Sequence, residues 1–300
     1  MKHFIQLSTL LFLLSMIACD KKIETPQKTL RGMYQPTVFP KDTTQLWIPD
    51  GDQSKDTVLI VGEGGPKNHL DFESNGRVYW EYLKTYNNYY TVVVHQSTTY
   101  NKSIFDAKDF DFDDAAVEVD NTSEILYRAI KYFKDRGKYV IVFGHSYSAF
   151  VIPHYLSTRP SLADRYVITG GRLDADSLQT SYQKQFINTG FEKDGITLIK
   201  PDLNEEPAKY RTKRYFTIRK NKEKLKYALG VYRYTEELKD KDLSNIIFYY
   251  GKKDQNVGIL SQKEIDFLKV KGALVRGVDA NHYRIWQRLL DSIWAGKVKF

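Results

Sequence analysis

The chain has 300 residues, enough for one sizeable domain or two small ones. Its apolar and charged fractions, 42% and 27%, are those of an ordinary folded protein and argue against a disordered chain. The formal net charge is +8, but Lys and Arg are interleaved with Asp and Glu, and no nucleic-acid-binding motif accompanies them. We therefore expect a folded protein with a basic, solvated surface and no nucleic-acid partner.

The first 18 residues have the features of an export signal. Lys2 supplies a positive charge, and the apolar run from Leu7 to Ile17 is too short to span a bilayer as a mature helix. The tetrapeptide ending at Cys19, Met-Ile-Ala-Cys, resembles the cleavage site of bacterial lipoprotein signals, although that pattern prefers Leu where Met16 stands. The resemblance implies that Cys19 becomes a lipid-modified N-terminus. The alternative is an ordinary cleaved signal peptide with an incidental cysteine.

Cys19 is the only cysteine, so an exported chain has no internal disulfide and Cys19 is available for lipidation. Segment 19–36 is polar and is expected to tether a domain, residues 37–300, to a membrane. The lipoprotein resemblance implies a location in the cell envelope, on the periplasmic or the surface face.

In the first half of the domain, the sequence predicts strands and helices in alternation. Thr37 to Ile48 is expected to form an edge hairpin. Thr57 to Val61 is a buried strand that ends in the glycine-rich segment Gly62 to Pro66. Asp71 to Tyr86 has apolar residues at helical spacing, and Thr91 to Val94 is a further buried strand.

An acidic stretch precedes the next helix. Phe105 to Asp120 is expected to be a loop. Asn121 or Thr122 can then cap a helix that runs to about Arg136, with Gly137 beyond its end.

A serine lies at a sharp junction in the middle of the chain. The β-branched run from Tyr139 to Phe143 predicts a fully buried strand, which leads into Gly-His-Ser-Tyr-Ser at 144–148 and then into an apolar run that can open a helix. A serine at the apex of a strand-turn-helix junction is typical of a nucleophile elbow. Ser146 is the apex residue, and Ser148 stands where the motif usually has a second glycine. A purely structural turn is the alternative.

After the elbow the alternation continues, with one long interruption. Arg165 to Thr169 is a further strand, and the order so far predicts a parallel sheet with helices on both faces. The segment from about 172 to 241 is basic, rich in aromatic residues and lacks a buried-strand run, which favours a helical lid over the carboxyl ends of the strands. The elements expected after it are strand Asn245 to Tyr250, helix Ser261 to Val270, strand Ala273 to Val278 and helix Tyr283 to Trp294.

Two polar residues follow the last two predicted strands. Asp254 comes just after the first and His282 just after the second. The carboxyl ends of parallel strands lie along one edge of a sheet, so Ser146, Asp254 and His282 are expected to converge there. Their order along the chain resembles that of the α/β-hydrolase superfamily, from about residue 57 to the C-terminus. The resemblance implies an α/β-hydrolase fold and a serine hydrolase.

The chemistry explains these three residue types. A serine hydroxyl is a poor nucleophile until a base takes its proton, which His282 can do, while Asp254 would orient the imidazole and stabilise its charged form. The resemblance assigns the oxyanion donors to the N–H of Tyr147 and to the Gly64–Gly65 loop. That loop is similar to the His-Gly-Gly-Pro loop of proline iminopeptidases, with Glu63 in place of the histidine.

Several alternatives stay open from the sequence alone. Asp174 or Asp176 could supply the carboxylate in place of Asp254, and His282 could be a structural neighbour of a helix start. His95 and His145 are expected to be packing or wall residues, and Ser148 a structural one.

The preferred function is cleavage of a small-molecule ester, or less readily an amide, through an acyl-enzyme. The alternatives are a non-catalytic lipoprotein of the same fold that binds a ligand or partner, and an aminopeptidase. The sequence contains no spacing typical of metal ligands and no phosphate loop, so no cofactor is expected.

Overall fold

A seven-stranded sheet organises the computed structural model, which describes residues 32–70, 89–201 and 212–297. The strands are β1 Trp47–Asp50, β2 Thr57–Gly62, β3 Tyr90–Val94, β4 Tyr139–His145, β5 Arg165–Thr169, β6 Ile246–Gly251 and β7 Leu274–Val278. Their order across the sheet is β1-β3-β2-β4-β5-β6-β7, and all neighbours are parallel except β1, which runs antiparallel to β3.

Helices connect the strands within the described ranges. They are α1 Ser97–Tyr100, α2 Phe112–Lys134, α3 Tyr147–Thr158, α4 Ser177–Lys184, α5 Lys213–Gly230, α6 Tyr234–Glu237, α7 Gln262–Val270 and α8 Ile285–Trp294, with 3-10 helices at Thr43–Leu46 and Lys102–Phe105. None of the described helices is long and apolar enough to cross a membrane.

Strands β2 to β6 are largely buried on both faces, as their continuous apolar sequences predict, whereas β1 and β7 at the two ends of the sheet are partly exposed. On β4, Val140 and Val142 face one hydrophobic cluster, which also contains residues of α2, α3 and α5. Ile141 and Phe143 face a second cluster, which contains residues of α8. The predicted class, a mostly parallel sheet with helices on both faces, is therefore confirmed.

Two local predictions were wrong. The expected edge hairpin is a 3-10 helix followed by the single strand β1, which pairs with β3. The second part of the stretch predicted as a loop, residues 112–120, belongs to α2, which begins at Phe112. Asp111 and Asp114 form a capping box there, because each carboxylate accepts the other residue's backbone N–H, at 2.8 and 3.0 Å. Acidic side chains also interact favourably with the positive end of a helix.

The segment between β5 and β6 contains α4, α5 and α6. Leu225 and Leu229 of α5 are buried in the first hydrophobic cluster, together with residues of α2 and α3. The predicted helix over 71–86 and the predicted signal with Cys19 lie outside the described residues.

Candidate active site

Ser146 occupies the sharp turn between β4 and α3. Its backbone has φ 58° and ψ −116°, a left-handed conformation that is uncommon for a residue with a side chain and costs about 1–3 kcal/mol. The Ser146 N–H donates to the Thr169 carbonyl of β5 at 3.1 Å, which helps to hold this backbone. The strand-turn-helix junction with a serine at its apex is thus present at the predicted place.

Small residues let α3 approach the sheet closely. A Cβ added to Gly144 would lie 2.6 Å from Ile152 Cδ1, and one added to Gly171 would lie 2.5 Å from Ala149 Cβ. Ser148, at the position of the second glycine, is accommodated by β2, where a Cβ on Gly62 would lie 2.5 Å from Ser148 Oγ. Gly62, on the neighbouring strand β2, therefore leaves the space that the Ser148 side chain of α3 occupies.

The structure brings Ser146, Asp254 and His282 together. His282 Nε2 lies 2.9 Å from Ser146 Oγ, and His282 Nδ1 lies 2.8 Å from Asp254 Oδ2. The other carboxylate oxygen of Asp254 accepts the N–H groups of Asn256 and Val257, at 2.9 and 3.1 Å. Asp254 and His282 are buried, with 1% and 3% of their surface exposed. Since both oxygens of Asp254 take part in hydrogen bonds, the carboxylate is held in a fixed orientation against the imidazole.

The alternative carboxylates lie elsewhere. Asp174 accepts hydrogen bonds from the N–H and the hydroxyl of Thr235. Asp176 caps α4 by accepting from the N–H groups of Leu178 and Gln179. Each has a structural partner of its own, and the carboxylate bonded to His282 is that of Asp254.

Two further histidines, His145 and His95, lie at the carboxyl ends of β4 and β3. The His145 ring is 4.8 Å from the His282 ring, and its Nδ1 lies 3.0 Å from Thr169 Oγ1. Burial, assisted by the nearby His282, lowers the pKa of His145 to about 3. His145 is therefore neutral at ordinary pH, and a protonated His282 would not face a second cation. Burial similarly lowers the pKa of His95 to about 4.

The glycine-rich loop after β2 is held beside Ser146. A Cβ added to Gly64 would lie 3.3 Å from Ser146 Cβ. Ser148 Oγ donates to the Glu63 carbonyl at 2.6 Å, and Gln96 Nε2 donates to the carbonyls of Glu63 and Gly64 at 3.1 and 2.9 Å. A trans peptide directs its C=O and N–H to opposite sides. The N–H groups of Gly64 and Gly65 therefore point away from Ser148 and Gln96.

Glu63 itself is buried, with 8% of its surface exposed, and forms an ion pair with Lys67 at 3.2 Å. This carboxylate has a cationic partner within the protein.

Gln96 is a residue of this site that the sequence did not reveal. It is 2% exposed, and its Oε1 also accepts the Lys67 N–H at 3.0 Å. The one available signal was its place two residues after the strand Tyr90–Val94, at the same edge of the sheet as the glycine loop.

A cavity of about 780 Å³ opens beside Ser146. Tyr147 and Gly65 lie in its wall with Ser146, and so do residues of α4 and α5 and of the loop that carries Asp254. The cavity can thus hold a small molecule next to the serine hydroxyl. The described residues include no group of three or more His, Cys, Asp and Glu side chains arranged to hold a metal ion.

No family model matches the sequence, and no curated protein matches it either. Solved structures do resemble the fold. A protein described as a non-heme bromoperoxidase, from Mycobacterium tuberculosis H37Rv, is 11% identical over 88% of this chain and 96% of its own, with a TM-score of 0.52. A lipase-esterase related protein from Clostridium acetobutylicum ATCC 824 is 12% identical over 83% of this chain and 98% of its own, with a TM-score of 0.50. At these identities the likeness shows the fold, which is that of the α/β hydrolases.

Proposed function

We propose that this protein is a serine hydrolase that cleaves an ester through an acyl-enzyme. The observation that carries the proposal is the chain of contacts from Asp254 through His282 to the Ser146 hydroxyl, at 2.8 and 2.9 Å, beside a cavity. Structures of similar fold include one described as lipase-esterase related, which agrees with this chemistry without deciding it.

In the proposed reaction, His282 Nε2 accepts the Ser146 proton while Oγ forms a bond to the ester carbonyl carbon. The tetrahedral intermediate then releases the alcohol, to which His282 returns the proton. Water attacks the acyl-enzyme in the same way, and the acid leaves while the Ser146 hydroxyl is restored. Asp254 keeps the imidazole in the required tautomer and stabilises its charged form.

The oxyanion needs hydrogen-bond donors. Tyr147 is the first residue of α3, so its N–H has no acceptor within the helix. The N–H groups of Gly64 and Gly65 are directed away from the side chains that hold the loop carbonyls. We assign the oxyanion site to Tyr147 and this loop, and each donor in such a site contributes about 2.7–4 kcal/mol to transition-state stabilisation.

An aminopeptidase is less well supported. Recognition of a free substrate amine needs an anionic group, and Glu63 is already paired with Lys67. The described residues that line the cavity include no Asp or Glu. We therefore prefer an ester substrate to an aminoacyl amide.

A fluorophosphonate probe separates an enzyme from a ligand-binding protein of the same fold. We expect rapid labelling of the wild type and none of Ser146→Ala, because only an activated serine attacks the probe. Ser157→Ala is the matched control, because it removes a hydroxyl near the other end of α3, where Ser157 Oγ donates to the His154 carbonyl and does not line the cavity, and it should still be labelled. An unlabelled wild type, or a labelled Ser146→Ala, would contradict the proposal.

We further propose that the protein is lipid-anchored in the cell envelope through Cys19. The support is the lipobox-like tetrapeptide after a short apolar run, and the polar segment 19–36 that follows. One acyl chain binds a membrane only marginally, so firm anchoring would need more than one.

A further inference from the structure

The cavity beside Ser146 has a charge pattern that the proposed reaction does not use. Two of its described lining residues are charged, Arg219 and Lys226, and both are basic. The wall is otherwise rich in side chains that donate and accept hydrogen bonds, namely Gln179, Gln183, Asn188, Thr189, Gln255 and Asn256. Such a wall suits a polar ligand better than an alkyl chain, because a polar ligand can hydrogen-bond to these side chains and an alkyl chain cannot.

Both cations come from one face of α5. Arg219 and Lys226 are two helical turns apart, and Gly230 lies one turn further along the same face and also lines the cavity. The helix therefore presents its positive charge towards the space in front of Ser146.

The two cations differ in their own partners. Lys226 Nζ lies 2.8 Å from a carboxylate oxygen of the buried Glu223 and 2.9 Å from Asn188 Oδ1. No ion pair of Arg219 with a carboxylate is found among residues 32–70, 89–201 and 212–297. Arg219 is half-buried. Its guanidinium is therefore the charge in this wall that a ligand can neutralise, and a guanidinium binds carboxylates and phosphates in a bidentate way.

A second polar atom in the wall also lacks a partner. Gln183 Oε1 is buried and accepts no hydrogen bond within the part of the chain that the structure describes. It lies near Gly230, where an added Cβ would be 3.5 Å away. A hydroxyl of a bound molecule would satisfy this acceptor.

We propose that the substrate is an ester of a polar, hydroxylated molecule that carries an anionic group, a carboxylate or a phosphate, and that Arg219 binds this group. The ester part of this statement rests on the proposed function, whereas the anion site rests on the wall of the cavity alone. Arg219 acts here as a binding residue and not in the bond-breaking steps.

A matched pair of substrates tests this selectivity. The 4-nitrophenyl esters of hexanoic acid and of adipic acid, the latter a monoester, have acyl chains of six carbons and differ by the terminal carboxylate. We expect kcat/KM to be higher for the adipate monoester than for the hexanoate ester. Arg219→Gln should lower the ratio of these two kcat/KM values about tenfold or more, which is the effect expected for loss of a hydrogen bond to a charged group. The kcat/KM of an analogue with a terminal phosphate in place of the carboxylate would show which of the two anions the site prefers.

Lys220→Gln is the matched control, because it removes the same charge from the next residue of α5, which is exposed and does not line the cavity. Lys220→Gln should leave the ratio of kcat/KM for the adipate monoester to kcat/KM for the hexanoate ester unchanged. An equal fall in the ratio for Lys220→Gln would mean that the effect comes from the general charge of the helix, and would overturn the assignment to Arg219.

Binding separates this inference from the proposed function. Calorimetry on Ser146→Ala should show tighter binding of the adipate monoester than of the hexanoate ester, and the difference should shrink when Arg219→Gln is added. Absence of turnover with this binding pattern intact would reject the hydrolase and keep the anion site. Equal binding of both esters, or a preference that Arg219→Gln leaves unchanged, would reject the anion site whether or not the esters are cleaved.

Discussion

Gln96 and Ser148 together hold the glycine loop next to the serine, and Gln96 alone binds the Gly64 carbonyl. Replacing Gln96 with Met would free that carbonyl and leave the Glu63 carbonyl bonded to Ser148, so the Gly65 N–H, which shares a peptide plane with the Gly64 carbonyl, would lose its fixed direction. We expect kcat to fall about tenfold or more while KM changes less, because an oxyanion donor acts in the transition state.

Asn221→Leu is a matched control for this variant. Asn221 is also a buried amide, and it donates to the carbonyls of Ile104 and Ala107, at 2.8 Å each, away from the serine. Both variants should lower the free energy of unfolding by about 1–3 kcal/mol, but Asn221→Leu should retain kcat. An equal loss of kcat in both would show that Gln96 acts through stability alone.

His145 should make the stability of the protein sensitive to acid. Its pKa is about 3 when folded, against 6.5 for an ordinary histidine, so the unfolded chain binds the proton first as the pH falls. The contribution of neutral His145 is fully present above pH 6.5 and is lost progressively towards pH 3. His145→Asn should make the free energy of unfolding fall less steeply with acid, by up to about 1.4 kcal/mol per pH unit.

Urea unfolding of the wild type and of His145→Asn at several pH values between 7 and 4.5 measures this slope. Parallel curves for the two proteins would contradict the lowered pKa of His145.

At the scale of elements, a turn of the segment between β5 and β6 supports the loop that carries Asp254. The Phe191 N–H donates to the Gln255 carbonyl at 2.7 Å, and the Ile259 N–H donates to the Gly195 carbonyl at 2.9 Å. Gly195 has φ 67°, and an added Cβ would lie 2.7 Å from Ile259 Cγ2 and 3.2 Å from the Asp254 carbonyl oxygen. Gly195→Ala should therefore displace the Asp254 loop and lower kcat.

Gly137→Ala separates this displacement from backbone strain. Gly137 has φ 70°, almost the same conformation, but a Cβ there would meet nothing within 4 Å. Both variants should lose about 1 kcal/mol of stability or more, since alanine is strained at such angles. Only Gly195→Ala should lose activity, and unchanged kinetics in that variant would argue against the support that we describe.

The buried strands were predictable and the start of one long helix was not, for a physical reason. Strands buried on both faces must be continuously apolar, so runs such as Tyr139 to Phe143 stand out in the sequence. The start of α2 is acidic and resembles a solvated loop, and its buried stripe includes polar residues such as Glu118. That carboxylate is satisfied by Tyr34 and Thr37, far away in sequence, so its burial could not be foreseen.

In the candidate site, too, some residues could be placed from the sequence and others could not. The positions of Ser146, Asp254 and His282 at strand ends follow from the topology of a parallel sheet, so sequence order was sufficient to place them together. Gln96 acts through two backbone carbonyls that lie 33 and 32 residues away in the chain, and side chain–backbone bonds between such distant segments leave no sequence pattern. The partner of Glu63, Lys67, was likewise not foreseen, because the sequence does not show which side of the loop each side chain takes.

For the whole molecule, the proposed anchoring can be tested at Cys19. Cys19→Ser should prevent lipidation, so the protein should leave the membrane fraction or remain unprocessed, as judged by fractionation and by the mass of its N-terminus. Incorporation of a fatty-acid label into the wild type and not into this variant is the expected result. Unchanged fractionation and an unchanged N-terminal mass would reject the lipid anchor and favour an incidental cysteine.

In the proposed serine hydrolase, Ser146 and His282 act as one catalytic unit. Such units respond non-additively to substitution, because each residue is of little use without the other. The decisive measurement is kcat/KM on one accepted ester for the wild type, Ser146→Ala, His282→Ala and the double variant, each confirmed as folded by circular dichroism. We predict that each single substitution abolishes nearly all turnover and that the double variant is hardly worse than either. Substantial activity in Ser146→Ala, or losses that multiply in the double variant, would contradict a joint catalytic role of Ser146 and His282.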